Sequence, residues 1–132
     1  MPTTEATLYE VQGGAAWITL NRPENRNALS QILVTELDAH LRAAVADPNV
    51  RCIVVTGNGP AFCAGADLKN QGLPRSGPAF PEVLQFIIDS PKPVIAAVNG
   101  AAFAGGLGLV GASDIVVAAE TRSSVSRKCA SA

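Results

Sequence analysis

The spacing of apolar and polar positions changes several times along this chain, and each change marks an element. Residues 7–20, TLYEVQGGAAWITL, flank Gly13-Gly14 with alternating apolar positions. That predicts two strands joined by a tight hairpin turn, because paired glycines supply the left-handed backbone such a turn needs. A polar loop, RPENRNAL, follows. Ser30 then stands where a helix N-cap belongs, and Leu33, Leu37, Leu41 and Val45 recur every four residues behind it. This is the apolar stripe of an amphipathic helix, which Pro48 ends. RCIVVTG, residues 51–57, is short, β-branched and closed by glycine, as a buried strand is. Residues 58–80 read as a long irregular loop with at most a short helix after Asp67, and loops of that length usually carry function. PEVLQFIIDS predicts a helix with Pro81 in its first turn and Pro91 and Pro93 past its end. PVIAAVNG predicts a buried strand, GGLGLVGAS a helix of small residues and DIVVAAE a further strand. Strands alternating with helices imply βαβ crossovers and a mainly parallel sheet, an α/β fold. No internal repeat is visible.

Composition narrows this picture by exclusion. The 132 residues make one domain's worth of chain, and 48% apolar against 16% charged is a folding composition. A formal net charge of −1 gives no electrostatic case for a nucleic acid or an anionic membrane. The chain has no charged start followed by an apolar run, so secretion is not expected. Its longest apolar stretch, PVIAAVNGAAFAGGLGLVGAS, is too broken by Gly, Asn and Ser for a membrane helix. Cys52, Cys63 and Cys129 are odd in number and irregularly spaced, as reduced thiols in a cytoplasmic protein are. With one histidine and no CxxC pair, no metal site is expected.

The candidate chemistry lies in FCAGADL (62–68) and NGAAFAGGLG (99–108), glycine loops that each follow a buried strand and lead into a helix. Free N–H groups at a helix start, backed by the helix dipole, stabilise negative charge, and glycine lets a ligand reach them. Two such donors on one oxygen form an oxyanion hole. Either loop alone reads as a turn; the pair in matching context reads as function. Gly106, Gly108 and Gly111 also spell G-x-G-x-x-G, but Gly106 lies eight residues beyond Val98 and no acid follows Glu120, so a dinucleotide site is a chance match. His40 is expected on the polar side of its helix and Cys63 as a small packing residue. Arg22, Arg26 and Lys69 could meet phosphates, with solvated charge the default.

ITLNRPENRNALS, VVTGNGPAFCAGADL, KPVIAAVNGAAFAGGLGL and SDIVVAAE, in this order and spacing, resemble the enoyl-CoA hydratase/isomerase (crotonase) family over residues 6–120. The resemblance implies a crotonase-like spiral of ββα units, incomplete here, that binds acyl-CoA thioesters, as in fatty acid metabolism. By motif, the two backbone donors to the thioester oxygen are Ala66 and Gly105. Ala28, Ala64, Asp67, Leu68 and Gly106 match positions along the CoA thioester path. Coenzyme A belongs to the substrate, so no separate cofactor is implied. Family members form trimers or hexamers, and the elements that assemble them lie in the half this sequence does not match.

The departures bear on the reaction. Hydratases of the family carry a glutamate two residues after the Gly-Gly pair, where Gly108 stands, and a second in an FGxPE segment. Those two carboxylates position and activate water. The second segment is expected after AAE, where the sequence of residues 121–132 diverges and a disordered tail is expected. With codons chosen from those available, losing one base after the Thr121 codon turns AKFGLPEVRLGL into RSSVSRKCASA and a stop. In that frameshift the glutamate falls at Lys128. A truncation with a vector-derived or naturally divergent end is the alternative. No general acid/base is then identifiable. The expected function is acyl-CoA chemistry through a held enolate, as hydration (a lyase reaction) or isomerisation of an enoyl-CoA. The alternative is a catalytically dead member that binds acyl-CoA or full-length relatives without turnover. Exposed apolar surface and open sheet edges are expected in either case.

Overall fold

A computed structural model of the chain describes residues 5–65 and 77–118. Gly13 and Gly14 take φ values of +58° and +86°, and the turn they make pairs β1 (Thr7–Gln12) antiparallel with β2 (Ala15–Leu20). There follow α1 (Gln31–Ala46), β3 (Cys52–Gly57), β4 (Ala61–Cys63), α2 (Phe80–Asp89), β5 (Val94–Val98), β6 (Ala101–Ala102), α3 (Gly105–Ala112) and β7 (Ile115–Ala118). The main sheet runs β1-β2-β3-β5-β7 and is parallel from β2 onward, as the alternation of strands and helices predicts.

Each parallel strand joins on the same side as the one before. Right-handed crossovers in a single direction put every connecting helix on one face of the sheet. The burial pattern agrees. Ala16, Ile18, Leu20, Ile53, Val55, Val94 and Ala96 form one buried core with Leu33, Leu37 and Leu41 of α1, Val83 and Ile87 of α2, and Leu109 of α3. The opposite face is partly open, with Trp17, Ile115 and Val117 at 38%, 50% and 56% exposure although Val54 between them is buried. Apolar exposure is therefore found on the sheet, and also on helices and loops at Ile32, Ile88, Phe103 and Leu107.

Helix α1 starts where its cap predicts, the Ser30 hydroxyl accepting from Leu33 N at 3.2 Å. Its buried stripe is Leu33, Val34, Leu37, Leu41 and Ala44, and Val45 is only half-buried. Strict four-residue spacing drifts off a 3.6-residue period, so Ala44 takes the buried place at the last turn. Lys92 Nζ closes that end, donating to Ala44 O at 2.8 Å and Asp47 O at 2.7 Å. In α2 the Glu82 carboxylate accepts from Ala79 N at 2.7 Å, and Pro81 sits in the first turn, where its missing N–H leaves no bond unmade.

The stretch read as one irregular loop holds β4, all three residues of which are buried, and β4 pairs in parallel with β6 in a second small sheet. Strands of three and two residues are too short to leave a periodic trace. The short helix expected after Asp67 and the tail 121–132 lie outside the described residues. The β4–β6 pair brings the two glycine loops side by side.

Candidate functional site

Three loops meet behind β4. Residues 22–29 reach across it in two places: Ala64 N donates to Arg26 O at 2.9 Å and Leu29 N to Gly65 O at 2.6 Å. The 99–104 loop joins from the other side, with Phe103 N donating to Cys63 O at 3.0 Å. Ala64 and Gly65 are thus held between the loop that precedes α1 and the loop that opens α3.

Glycine is required at the junction. Gly65 is buried with φ +95°, and a methyl group on it would lie 3.1 Å from both Ala104 Cβ and Phe103 O and 3.5 Å from Gly105 N. A methyl group on Gly106 would run into the Cys63 carbonyl, so α3 seats directly on the backbone of β4. Ala104, just before the helix, has φ +46° and ψ −110°, a conformation that costs an L-residue about 1–3 kcal/mol. Such strain is kept where surrounding contacts impose it. Here it turns the chain so that α3 begins beside Gly65.

At the first position of α3 the Gly105 N–H has no acceptor among the described residues. Its neighbours are committed, Gly106 N to Phe103 O at 2.8 Å and Gly108 N to Ala104 O at 3.2 Å. An unpaired N–H at a helix start is poised to donate to an anionic or polarised oxygen. Ala28 is buried one residue before the Leu29–Gly65 bond, so Ala28, Ala64, Gly105 and Gly106 belong to one neighbourhood. Ala66, Asp67, Leu68, Lys69 and Lys128 lie outside the described residues.

The family model described as enoyl-CoA hydratase/isomerase matches residues 10–127. The chain belongs to the enoyl-CoA hydratase/isomerase family. It is 35% identical over 127 residues to the 1,2-epoxyphenylacetyl-CoA isomerase of Escherichia coli, covering 89% of this chain and 48% of that protein. It is 38% identical over 125 residues to the mitochondrial enoyl-CoA hydratase domain-containing protein 3 of Danio rerio, covering 89% and 43%. Among solved structures, an enoyl-CoA hydratase/isomerase from Xanthobacter autotrophicus superposes with a TM-score of 0.79 at 40% identity, over 88% of this chain and 46% of that one. The fold is therefore a partial crotonase fold. The chain spans about half the length of the curated relatives it matches.

The position two residues after the Gly-Gly pair has an apolar setting. A methyl group on Gly108 would lie 3.2 and 3.8 Å from the two methyls of Leu84 and 3.8 Å from Phe80 Cε2. The dinucleotide motif fares worse. Gly106, Gly108 and Gly111 all lie inside α3 and build no loop between strand and helix. Nor does the strand order reverse among the described residues, so no crevice of the dinucleotide kind opens there.

The remaining single residues fall into structural places. Cys63 is fully buried, and burial pushes its thiol above the usual value, against a weaker opposing hydrogen bond from the Gly65 backbone. It packs β4, as expected. His40 is half-buried rather than simply on a polar helix face: its ring stacks on Tyr9, with centroids 4.9 Å apart and planes 13° apart. The stripe of α1 does not show that β1 lies over this turn. Burial lowers the imidazole pKa, with Glu36 and Glu5 opposing. Arg22 donates to Glu5 O at 3.0 Å and Asn21 O at 3.3 Å, and Arg26 is an exposed left-handed residue at φ +60°. Among the described residues no three His, Cys, Asp or Glu side chains gather to hold a metal ion, and no helix is long and apolar enough to cross a membrane.

Two asparagines escaped the sequence reading. Asn27, fully buried at φ +58°, accepts from Arg22 N at 2.7 Å and donates to Asn58 O, Ala61 O and Phe62 O at 3.1, 3.0 and 3.2 Å. Asn99 accepts from Gly57 N at 3.0 Å and donates to Gly59 O at 2.9 Å and Ala61 O at 3.2 Å. For Asn27 the available signal was an asparagine at the end of a polar loop, directly before an apolar run, where left-handed backbone favours it.

Proposed function

We propose that the chain binds an acyl-CoA thioester with its carbonyl oxygen on the Gly105 N–H, the Ala66 N–H serving as the second donor. The observation that carries this reading is the Gly105 amide, without an acceptor among the described residues and set beside Gly65. In the parent reaction, charge grows on that oxygen as an enolate forms, and each well-placed donor is worth about 3 kcal/mol of barrier. Hydration or isomerisation of an enoyl-CoA is the reaction class that the family and the names of its members support. Ala28, Ala64, Asp67, Leu68 and Gly106 line the CoA path, and coenzyme A arrives as part of the substrate, with no separate cofactor.

Gly108 favours a second reading, binding without turnover. With Leu84 and Phe80 where a carboxylate would extend, this position supplies neither acid nor base. Titration with crotonyl-CoA, alongside the loss of its conjugated-thioester absorbance, separates the two. Hydration marks an active enzyme, and saturable binding without hydration marks the silent one. Absence of any preference for the thioester over free coenzyme A refutes both.

A further inference from the structure

We propose that Asn27 is a positioning residue, with Asn99 as its counterpart, that holds the 61–65 segment in register with the Gly105 amide. The proposal rests on the oxyanion reading above and adds the residues that set its geometry. Neither asparagine carries the expected chemistry, yet together their side chains make seven hydrogen bonds to backbone between residues 22 and 62. Both amides converge on the Ala61 carbonyl, at 3.0 and 3.2 Å. They grip it from different loops, one before α1 and one before α3.

The clamp acts directly on the segment that meets α3. Asn27 holds Ala61 and Phe62 by their carbonyls, and its neighbour Arg26 takes the Ala64 N–H. The following Cys63 carbonyl receives Phe103 N and abuts Gly106. A shift at Asn27 is therefore passed through four covalently linked residues to the start of α3. Packing leaves little slack, because Gly57 is wedged against the same residues: a methyl group there would lie 2.7 Å from Phe62 O and 2.9 Å from Asn99 Oδ1. Asparagine suits position 27 on two grounds. It tolerates φ +58°, and its carboxamide both accepts and donates, which neither aspartate nor leucine can do.

Asn27→Gly keeps the left-handed backbone and removes only the side chain. The probe is para-dimethylaminocinnamoyl-CoA, whose absorption moves to the red as N–H donors draw charge onto its thioester oxygen. Val50→Ala, a core truncation just before β3, is the control for lost stability. The wild type and Val50→Ala should bind the probe with the same red shift, and Asn27→Gly should bind it with about half that shift or less. A full shift in Asn27→Gly, or an equal loss in Val50→Ala, overturns the proposal. If the wild type itself gives no shift, the thioester reading fails and amide exchange without ligand decides the asparagine. Exchange in 61–65 and 103–106 about tenfold faster in Asn27→Gly than in Val50→Ala then supports the clamp, and equal exchange overturns it.

Discussion

Gly106, Gly108 and Gly111 share one helix and differ in what a methyl group would meet, so alanine at each isolates steric fit from helix propensity. In a helix interior alanine is favoured over glycine by about 1 kcal/mol. At Gly111 nothing lies within 4 Å, so Gly111→Ala should be stabilising by up to that amount. At Gly108 the nearest atom is Leu84 Cδ1 at 3.2 Å, the end of a rotatable side chain, and the two effects should nearly cancel. At Gly106 the methyl overlaps the Cys63 carbonyl and stands 2.9 Å from Cys63 Cβ, so α3 must lift off β4. Overpacking of that kind costs about 1–3 kcal/mol, leaving a net loss of up to about 2 kcal/mol after the propensity gain. With a urea dependence of about 1–3 kcal/mol/M, Gly106→Ala should lower the unfolding midpoint by up to about 1 M and Gly111→Ala should raise it by up to about half as much. If Gly106→Ala proves as stable as Gly111→Ala, the seating of α3 on β4 is wrong, and the placement of the Gly105 amide falls with it.

Three other predictions test separate parts of the account. Gly108→Glu pushes a carboxylate against Leu84 and Phe80 and should destabilise by about 1–3 kcal/mol; combining it with Leu84→Ala should recover part of the loss as a coupling of at least about 0.5 kcal/mol in a urea double-mutant cycle. Burial holds the His40 pKa below 6.5, so its contribution to stability is present above that value and lost as the pH falls through the lower folded value. Urea midpoints of His40→Gln should accordingly fall less than those of the wild type between about pH 7 and about pH 5. Ser30→Ala removes the acceptor for Leu33 N and should cost about 1 kcal/mol in the same unfolding assay.

The parts of this fold that were legible are those where one residue type has one local task. Gly13-Gly14 announces its hairpin because two successive left-handed residues leave little alternative, and Ser30 announces α1 because its hydroxyl fills a need at any helix start. Ordered strands and helices then give the parallel sheet. Less legible were features decided by contacts between distant segments. Three-residue β4 and two-residue β6 have no period to read, and they are strands only because they lie against each other. His40 gains a stacking partner from β1, which its own helix cannot reveal. Of the site, Gly105 and Gly106 were found as glycines before and within a helix start. Asn27 was passed over because an asparagine in a polar loop ordinarily faces water, and Asn99 because the glycines of its loop drew the reading. Their role exists only once three loops distant in sequence have closed around Ala61, Gly57 and Asn99 alone lying 42 positions apart.

The central claim is that the Gly105 amide receives a thioester oxygen. The infrared carbonyl band of crotonyl-CoA, isotope-labelled at the thioester carbon, reads that bond directly. Bound to this chain, the band should move to lower frequency than in water, as N–H donation weakens the C=O bond, and Gly106→Ala should reverse the move. Saturable binding with the carbonyl band unmoved would contradict the account.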